Sequence, residues 1–203
     1  MTKIKLCGMM NSLDVITARD LGADYAGFVL SDGFKRSIGL GTFCELQSYL
    51  IGSTTQKVGV FVDEPIEGIL KYYAEMIDMI QLHGSEDETY IHTLRQYTNK
   101  PIIRAFTVKA EEDIRRAEQS SADYVLLDSG KGSGKTFDHS LIQHIDRPFF
   151  LAGGLTAENV SEVIDALSPF AVDASSSLET KGRKDKNKMT SFIKAVRGKE
   201  RSL

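Results

Sequence analysis

A thiol and a carboxyl group, each at the end of a short apolar run, have the clearest chemical potential in this chain. Cys7 follows Lys3–Leu6 and precedes a glycine, and Asp128 ends the run Tyr124–Leu127. A positioned thiolate can act as a base or a nucleophile, and a carboxylic acid can deliver a proton. If both runs are strands of one parallel barrel, both side chains lie at its catalytic face. The pair indicates acid–base chemistry, although a buried filler thiol and a turn-capping aspartate are the simpler alternatives.

Two segments rich in glycine and serine predict a phosphate site. Gly153-Gly154 follows an apolar run and leads directly into a helix-like segment, and Ser175-Ser176 follows Asp173 at the end of the last run. Glycines let backbone N–H groups approach an anion, and a helix N-terminus adds a favourable dipole. The loops after the seventh and eighth strands are the recurrent phosphate site of barrels. We therefore predict that these four glycines and serines bind phosphate; for the glycine pair, the alternative is a tight strand–helix turn.

Further polar residues are expected at the same face. Strand alternation places Lys5 on the side of Cys7, one layer deeper in a barrel. A buried ammonium needs a partner, and the first and last strands adjoin in a closed barrel, so we predict an ion pair between Lys5 and Asp173. Gln81 and His83 stand at the end of the fourth apolar run and are expected to support the site.

The elements that must position these residues follow from a repeated pattern. Eight short apolar runs occupy 4–7, 25–30, 58–62, 79–82, 102–106, 124–127, 148–152 and 170–172. The segments with helical patterning are 12–22, 43–51, 64–76, 86–97, 110–120, 138–145, 156–167 and 187–197. Eight alternating units, with no linker between them, predict a single-domain α/β fold over 1–203, a (β/α)8 TIM barrel. The alternative is an open doubly wound sheet, which the count of eight and the lack of GxGxxG after the first run disfavour.

Helix starts can be placed more finely from capping residues. Asn, Thr and Ser side chains at the first position accept hydrogen bonds from backbone N–H groups that have no partner inside the helix. We therefore expect Asn11, Thr42 and Thr156 to be N-caps of three of these helices.

Composition restricts the class of protein. The net charge is −3 and basic residues cluster only at 181–188, so we expect no nucleic-acid partner. No apolar run approaches the roughly 20 residues that span a bilayer, and the start does not resemble a signal peptide. The two cysteines, Cys7 and Cys44, form no disulfide framework, and no cysteine–histidine group has metal-ligand spacing. We expect a cytoplasmic protein with reduced thiols, without a metal site and without a membrane partner.

Five short motifs occur in an order that resembles one family. They are Lys5–Gly8, Gln81–Gly84, Gly134–Asp138, Ala152–Leu155 and Val172–Ser176. Taken together, and over residues 3 to about 190, the chain resembles the phosphoribosylanthranilate isomerases of tryptophan biosynthesis. Each motif is short, but the ordered set is specific.

The resemblance implies an activity and roles for three residues. The activity is the Amadori rearrangement of N-(5-phosphoribosyl)anthranilate to 1-(2-carboxyphenylamino)-1-deoxyribulose 5-phosphate, which needs no cofactor. The resemblance implies that Cys7 is the general base, that Asp128 is the general acid and that Arg36 faces the carboxylate of the anthranilate. The partner would be a small phosphorylated substrate, and the protein a monomer or a homodimer.

The chain also departs from the family pattern at several places, among them two beside expected site residues. Ser177 stands where a glycine usually follows the serine pair, which adds a side chain beside the expected phosphate. Phe34 and Ser37 flank Arg36 where a serine and a tyrosine are usual.

Two other functions stay open at this point. The related histidine-pathway isomerase resembles a repeated half-barrel with two phosphate sites and carboxylates as acid and base, yet the loops at 62–65 and 83–85 show no second glycine and serine pair. A non-catalytic phosphate-binding barrel would have no need of both Cys7 and Asp128.

Overall fold

The structure is a computed structural model that describes residues 1–128, 142 and 145–198. Eight parallel strands close into a barrel in chain order, so the predicted barrel is confirmed and the open sheet is excluded. The strands are β1 (Lys3–Cys7), β2 (Tyr25–Val29), β3 (Gln56–Phe61), β4 (Met79–Leu82), β5 (Ile102–Thr107), β6 (Tyr124–Asp128), β7 (Phe149–Ala152) and β8 (Ala171–Ala174).

Helices follow most of the strands and cover the outside of the barrel. Those in the described part of the chain are α1 (Ser12–Asp20), α2 (Leu40–Ser48), α3 (Ile66–Tyr72), α4 (Glu88–Arg95), α5 (Glu111–Gln119), α6 (Val160–Leu167) and α7 (Lys186–Gly198). The motif Gly134–Asp138 lies outside the described residues. So does the segment predicted as a helix at 138–145, except for residues 142 and 145. None of the described helices is long and apolar enough to cross a membrane.

One of the three predicted N-caps is correct. Oδ1 of Asn11 accepts the backbone N–H of Asp14 at 3.0 Å, as expected for the start of α1. The prediction for Thr42 is wrong because α2 begins at Leu40, where the carbonyl of Gly39 already accepts the first helical bond.

The prediction for Thr156 is also wrong, since the N-cap of α6 is Asn159. A turn stands before this helix: Oδ1 of Asn159 accepts the N–H of Thr156 at 2.8 Å, and the hydroxyl of Thr156 accepts the N–H of Glu158 at 3.2 Å. The glycine pair Gly153-Gly154 therefore does not lead directly into a helix.

Strand alternation separates two apolar layers. Ile4 and Leu6 are fully buried between the barrel and the helices, while Cys7 belongs to the layer inside the barrel. The inner layer consists of Cys7, Tyr25, Val58, Val60, Met79, Ile103, Ala105, Leu126, Phe150, Ala152 and Ala171. Side chains from all the strands therefore fill the barrel, and the polar groups at the carboxyl ends of the strands lie above this layer.

A short hairpin follows β8 and was not predicted from the sequence. Residues Ser176–Leu178 form one 3₁₀ turn, and β9 (Glu179–Thr180) then pairs with β10 (Arg183–Lys184). Lys181 and Gly182 connect the two strands with φ of 50° and 77°, as a two-residue hairpin turn requires. The hairpin brings Glu179 and Lys184 back to the site.

Candidate active site

Cys7 is the last residue of β1 and lies at the mouth of the barrel. Its side chain is almost buried, with 9% of the residue exposed. The register pairs it with Gly27 of β2, and a Cβ on Gly27 would stand 2.7 Å from the sulfur. Glycine at that position therefore makes room for the thiol, and Gly8, with φ of 79°, turns the chain out of the strand immediately after it.

The predicted ion pair beneath the thiol is confirmed. Nζ of Lys5 lies 2.6 Å from Oδ2 of Asp173, and the strand register sets the two residues side by side on β1 and β8. Lys5 is completely buried and Asp173 nearly so. Burial would lower the pKa of Lys5, but the Asp173 carboxylate and the Cys7 sulfur outweigh it and raise that pKa, so Lys5 stays charged.

The thiol itself experiences opposing influences. Burial raises the pKa of Cys7 above its ordinary value, because a thiolate loses solvation in an apolar layer. The ammonium groups of Lys5 and Lys184 lower this pKa, and the carboxylate of Asp173 raises it. The net shift is upward, so the resting form is the neutral thiol and any thiolate depends on the neighbouring cations.

Asp128 ends β6 and lies three strands away from Cys7 around the barrel, with β7 and β8 between them. Its side chain is 27% exposed, and its Oδ2 lies 3.9 Å from Nε2 of His83. The fully buried Gln81 places its Nε2 2.9 Å from Nδ1 of His83, so the amide donates and this ring nitrogen accepts. Burial lowers the pKa of His83 although Asp128 opposes it. A neutral His83 therefore turns an N–H towards Asp128.

The two predicted phosphate loops lie side by side at the ends of β7 and β8. Gly153 and Gly154 have φ of 96° and 62°, which glycine tolerates best, and Nδ2 of Asn159 donates to the carbonyl of Gly154 at 3.1 Å. The hydroxyl of Ser175 donates to the carbonyl of Cys7 at 3.0 Å, and Ser176 begins the 3₁₀ turn. The loop after β8 thus contacts the end of β1 at the thiol, and phosphate binding by both loops stays a prediction.

Arg36 lies at the mouth but is already held by an acidic side chain. Its Nε and Nη2 donate to the two carboxylate oxygens of Glu179 at 2.5 and 3.0 Å. A Cβ on Gly8 would collide with the Cδ of Arg36, so the arginine packs directly over the residue that follows Cys7. Its implied contact with a substrate carboxylate would use the guanidinium edge that Glu179 does not occupy, and this role stays a prediction.

Glu179 and Lys184 belong to the site and were missed in the sequence. Nζ of Lys184 lies 3.1 Å from Oε1 of Glu179 and 3.0 Å from the carbonyl of Ser175, and only 1% of its side chain is exposed. Burial would raise the pKa of Glu179, but Arg36 and Lys184 outweigh it and lower that pKa to about 2. One sequence feature could have revealed them: Glu179 and Lys184 flank the Lys181-Gly182 pair, which is typical of a hairpin turn. By its composition this segment indicated only a basic cluster.

The arrangement can carry out proton transfer. It joins a thiol with adjacent cations to a partly exposed carboxyl group, at one mouth where the two loops predicted to bind phosphate also lie. Among residues 1–128, 142 and 145–198, no group of three or more histidine, cysteine, aspartate and glutamate side chains is arranged to hold a metal ion.

Comparison with known proteins agrees with this chemistry. The sequence model of the family described as N-(5'phosphoribosyl)anthranilate (PRA) isomerase matches residues 4–195. An N-(5'-phosphoribosyl)anthranilate isomerase from Endomicrobium trichonymphae is 41% identical, over 97% of this chain and 99% of the relative.

Two solved structures are similar over nearly their whole length. Monomers of a dimeric phosphoribosylanthranilate isomerase from Thermotoga maritima match with a TM-score of 0.86 and 35% identity, over 98% of this chain and 100% of that one. A phosphoribosylanthranilate isomerase in complex with reduced 1-(o-carboxyphenylamino)-1-deoxyribulose 5-phosphate matches with a TM-score of 0.85 and 34% identity, over the same shares. This chain therefore belongs to the phosphoribosylanthranilate isomerase family.

Proposed function

We propose that this protein isomerises N-(5-phosphoribosyl)anthranilate to 1-(2-carboxyphenylamino)-1-deoxyribulose 5-phosphate, the third step of the tryptophan branch. The observation that carries the proposal is the placement of Cys7 and Asp128 at one barrel mouth in a chain of this family. The relative in complex with a reduced form of this product supports the choice of substrate.

In the first step, Asp128 acts as the general acid. Its carboxyl group protonates the ring oxygen of the furanose, the bond between C1 and that oxygen breaks, and the nitrogen lone pair forms a C=N bond. The result is an open-chain protonated Schiff base. The side chain of Asp128 is partly exposed at the mouth, so it can reach the substrate and recover a proton between turnovers.

In the second step, the thiolate of Cys7 acts as the general base. It removes the proton from C2, the C–H electrons form a C1=C2 bond, and the C=N electrons return to nitrogen. The resulting enolamine tautomerises to the ketone when the C2 hydroxyl loses its proton and C1 gains one. Lys5, held by Asp173, keeps an ammonium close to the sulfur while the thiolate exists. Two proton transfers of this kind need no cofactor.

The two charged ends of the substrate would be bound on either side of the reacting carbons. Gly153, Gly154, Ser175 and Ser176 would bind the phosphate through backbone N–H groups and hydroxyls. Arg36 would bind the carboxylate of the anthranilate with its remaining N–H groups. Gln81 and His83 would support Asp128 from β4.

The proposed activity also leads to expectations about cellular location, partners and oligomeric state. We expect a cytoplasmic enzyme that uses a small phosphorylated substrate and binds no nucleic acid. We also expect a monomer or a homodimer, and the dimeric relative from Thermotoga maritima makes both states worth testing by sedimentation velocity.

The deciding experiment follows the loss of phosphoribosylanthranilate fluorescence. Wild-type protein should turn the substrate over, and Cys7→Ser and Asp128→Asn should each lower kcat/KM by about 10²–10⁴-fold, since each removes a positioned base or acid. Cys44→Ser is the matched control, because Cys44 is exposed on α2, and it should keep wild-type activity. A wild type without turnover, or Cys7 and Asp128 variants within about tenfold of it, would overturn the proposal.

A further inference from the structure

Lys184 occupies an unusual position for a lysine. It lies on β10, outside the barrel strands, yet its side chain is buried and its ammonium donates to Glu179 and to the carbonyl of Ser175. Ser175 in turn donates from its hydroxyl to the carbonyl of Cys7 at 3.0 Å, and Nζ of Lys184 lies 3.4 Å from that same hydroxyl. The ammonium is therefore one side chain away from the end of β1. A buried ammonium costs solvation free energy, so its position calls for an explanation beyond surface solubility.

The charges around Cys7 do not contribute equally. Lys5 and Asp173 form a close pair of opposite charges, and the carboxylate offsets part of the effect of the ammonium on the sulfur. Glu179, by contrast, is one carboxylate surrounded by three cations, Arg36, Lys184 and Lys35. That cluster therefore carries excess positive charge, and Lys184 is its buried member.

We propose that Lys184 is a positioning residue for the thiolate of Cys7, with Glu179 holding its ammonium in place. The proposal goes beyond the residues assigned to the reaction and rests on the proposed function only in that Cys7 is the base. Lys184 adds its positive field to that of Lys5, which Asp173 offsets in part, and so favours the ionised sulfur. The influence of Lys184 on the thiol, which lowers the pKa of Cys7, has the required sign.

Other charged groups face the same region and must stay constant in any test. Those near the sulfur or near Lys184 are Lys5, Asp14, Arg36, Asp173 and Glu179. The test therefore alters Lys184 alone. A second role for this lysine, direct binding of the substrate phosphate beside Ser175, makes a different prediction, because it would raise KM without changing the ionisation of the thiol.

The experiment titrates the thiol without substrate. In a Cys44→Ser background Cys7 is the one cysteine left, so alkylation by iodoacetamide reports on it alone. Below the thiol pKa the alkylation rate follows the thiolate fraction. Lys184→Met should slow the reaction about 3- to 10-fold at each pH between 6 and 8, which is an upward pKa shift of about half to one unit. Lys184→Arg should restore the rate to within about twofold.

Two further variants make the result specific. Lys188→Met removes the charge of an exposed lysine four residues further along the chain. Among the described contacts, the ammonium of Lys188 donates only to the backbone carbonyl of Glu179, so this variant should leave the alkylation rate unchanged. Lys184→Gln keeps a donor for Ser175 and Glu179 but not the charge; it should behave like Lys184→Met, and it replaces that variant if the methionine protein does not fold. Thermal unfolding confirms the fold of each.

The outcomes separate this proposal from the proposed function. An alkylation rate in Lys184→Met and Lys184→Gln equal to wild type would overturn it, and so would a raised KM with an unchanged alkylation profile. If the slower alkylation appears, the rising limb of the kcat/KM pH profile should move upward by the same amount. If Lys184→Met shows the alkylation shift but the wild type does not turn over phosphoribosylanthranilate, the proposed function is contradicted and the role of Lys184 is supported.

Discussion

The two sides of the barrel mouth are held together by different interactions. The thiol side, which we define as Lys5, Cys7, Asp173, Glu179 and Lys184, consists of side chains that are almost completely buried, and its four charged residues form two ion pairs. The acid side consists of Gln81, His83 and Asp128, where a neutral hydrogen bond supports a partly exposed carboxyl group.

The difference matches what each proposed role requires. A buried thiol gains a proton easily and loses it with difficulty, so a base of this kind needs fixed positive charge around it. An acid that must recover its proton after every turnover needs contact with solvent, and the side chains of Asp128 and His83 are 27% and 37% exposed. Substitutions among the charged residues of the thiol side should therefore change the free energy of unfolding by large amounts, which for Glu179 depend on pH, and substitution of Gln81 on the acid side should change it less.

The largest effect on stability is expected for Lys5→Met. The substitution leaves the buried Asp173 carboxylate without its partner, and breaking a buried ion pair costs about 3–5 kcal/mol of unfolding free energy. The double variant Lys5→Met/Asp173→Leu should recover much of this loss, because it removes both charges. Urea unfolding at pH 7 measures all three proteins.

Lys3→Met provides the matched control on the same strand. Lys3 also forms an ion pair, with Asp24 at 2.9 Å, but its side chain is 45% exposed. Exposed pairs contribute about 1 kcal/mol or less, so the variant should be close to wild type. Equal losses for Lys3→Met and Lys5→Met would contradict the view that the thiol side is distinguished by buried charge.

Glu179→Gln should give a smaller loss that depends on pH. The folded-state pKa of Glu179 is lowered from 4.5 to about 2, so its contribution to stability is present above pH 4.5 and disappears as the pH falls towards 2. The variant should be less stable than wild type by about 3 kcal/mol at pH 7, with the gap closing between pH 4.5 and pH 2.

Denaturant unfolding at pH 7, 4 and 2.5 tests this expectation. Glu75→Gln, at an exposed position after α3, should change the unfolding free energy by less than about 0.5 kcal/mol at every pH. A gap between Glu179→Gln and wild type that stays constant over this range would show that the carboxylate is not held by the cations around it.

The smallest effect is expected on the acid side, for Gln81→Leu. This change removes one neutral donor to Nδ1 of His83, which costs about 1 kcal/mol. In the wild type, ¹⁵N chemical shifts should show His83 neutral and protonated on Nε2 at pH 7.5, in keeping with its lowered pKa. The variant should lose this single tautomer, whereas Gln119→Leu, at an exposed position on α5, should keep it. A His83 protonated on Nδ1 in the wild type would reverse the direction of the Gln81 contact.

Much of the fold could be read from local patterns. All eight strands lie where the apolar runs predicted them, because parallel strands buried on both faces leave near-continuous apolar segments. Helix starts were predicted less accurately. Thr42 and Thr156 have side chains that cap well, but α2 begins earlier, with Gly39 as its cap, and α6 begins later, with Asn159 as its cap. Capping preference is worth about 1 kcal/mol, which the packing of a whole helix easily exceeds.

The site was predictable to the extent that it depends on strand ends. Cys7, Asp128, Gln81 and His83 all follow from the rule that the carboxyl ends of barrel strands meet. Lys5 and Asp173 follow from alternation and from the adjacency of the first and last strands, as the 2.6 Å contact confirms. Glu179 and Lys184 escaped this rule because their hairpin lies beyond β8 and consists of only four paired residues.

The sequence by itself determined the barrel, the thiol and carboxyl group at its mouth, and the buried pair of Lys5 and Asp173. Those features depend on periodicity and on neighbouring strands, which are local in the chain or fixed by closure. The tertiary structure alone decided that Arg36, Glu179 and Lys184 join the charges near Cys7, since Arg36 and Glu179 lie 143 residues apart and meet only when the hairpin folds back over the end of β1. Electrostatic interactions act through space, so the partners of an ionisable group are set by the fold and not by its sequence neighbours.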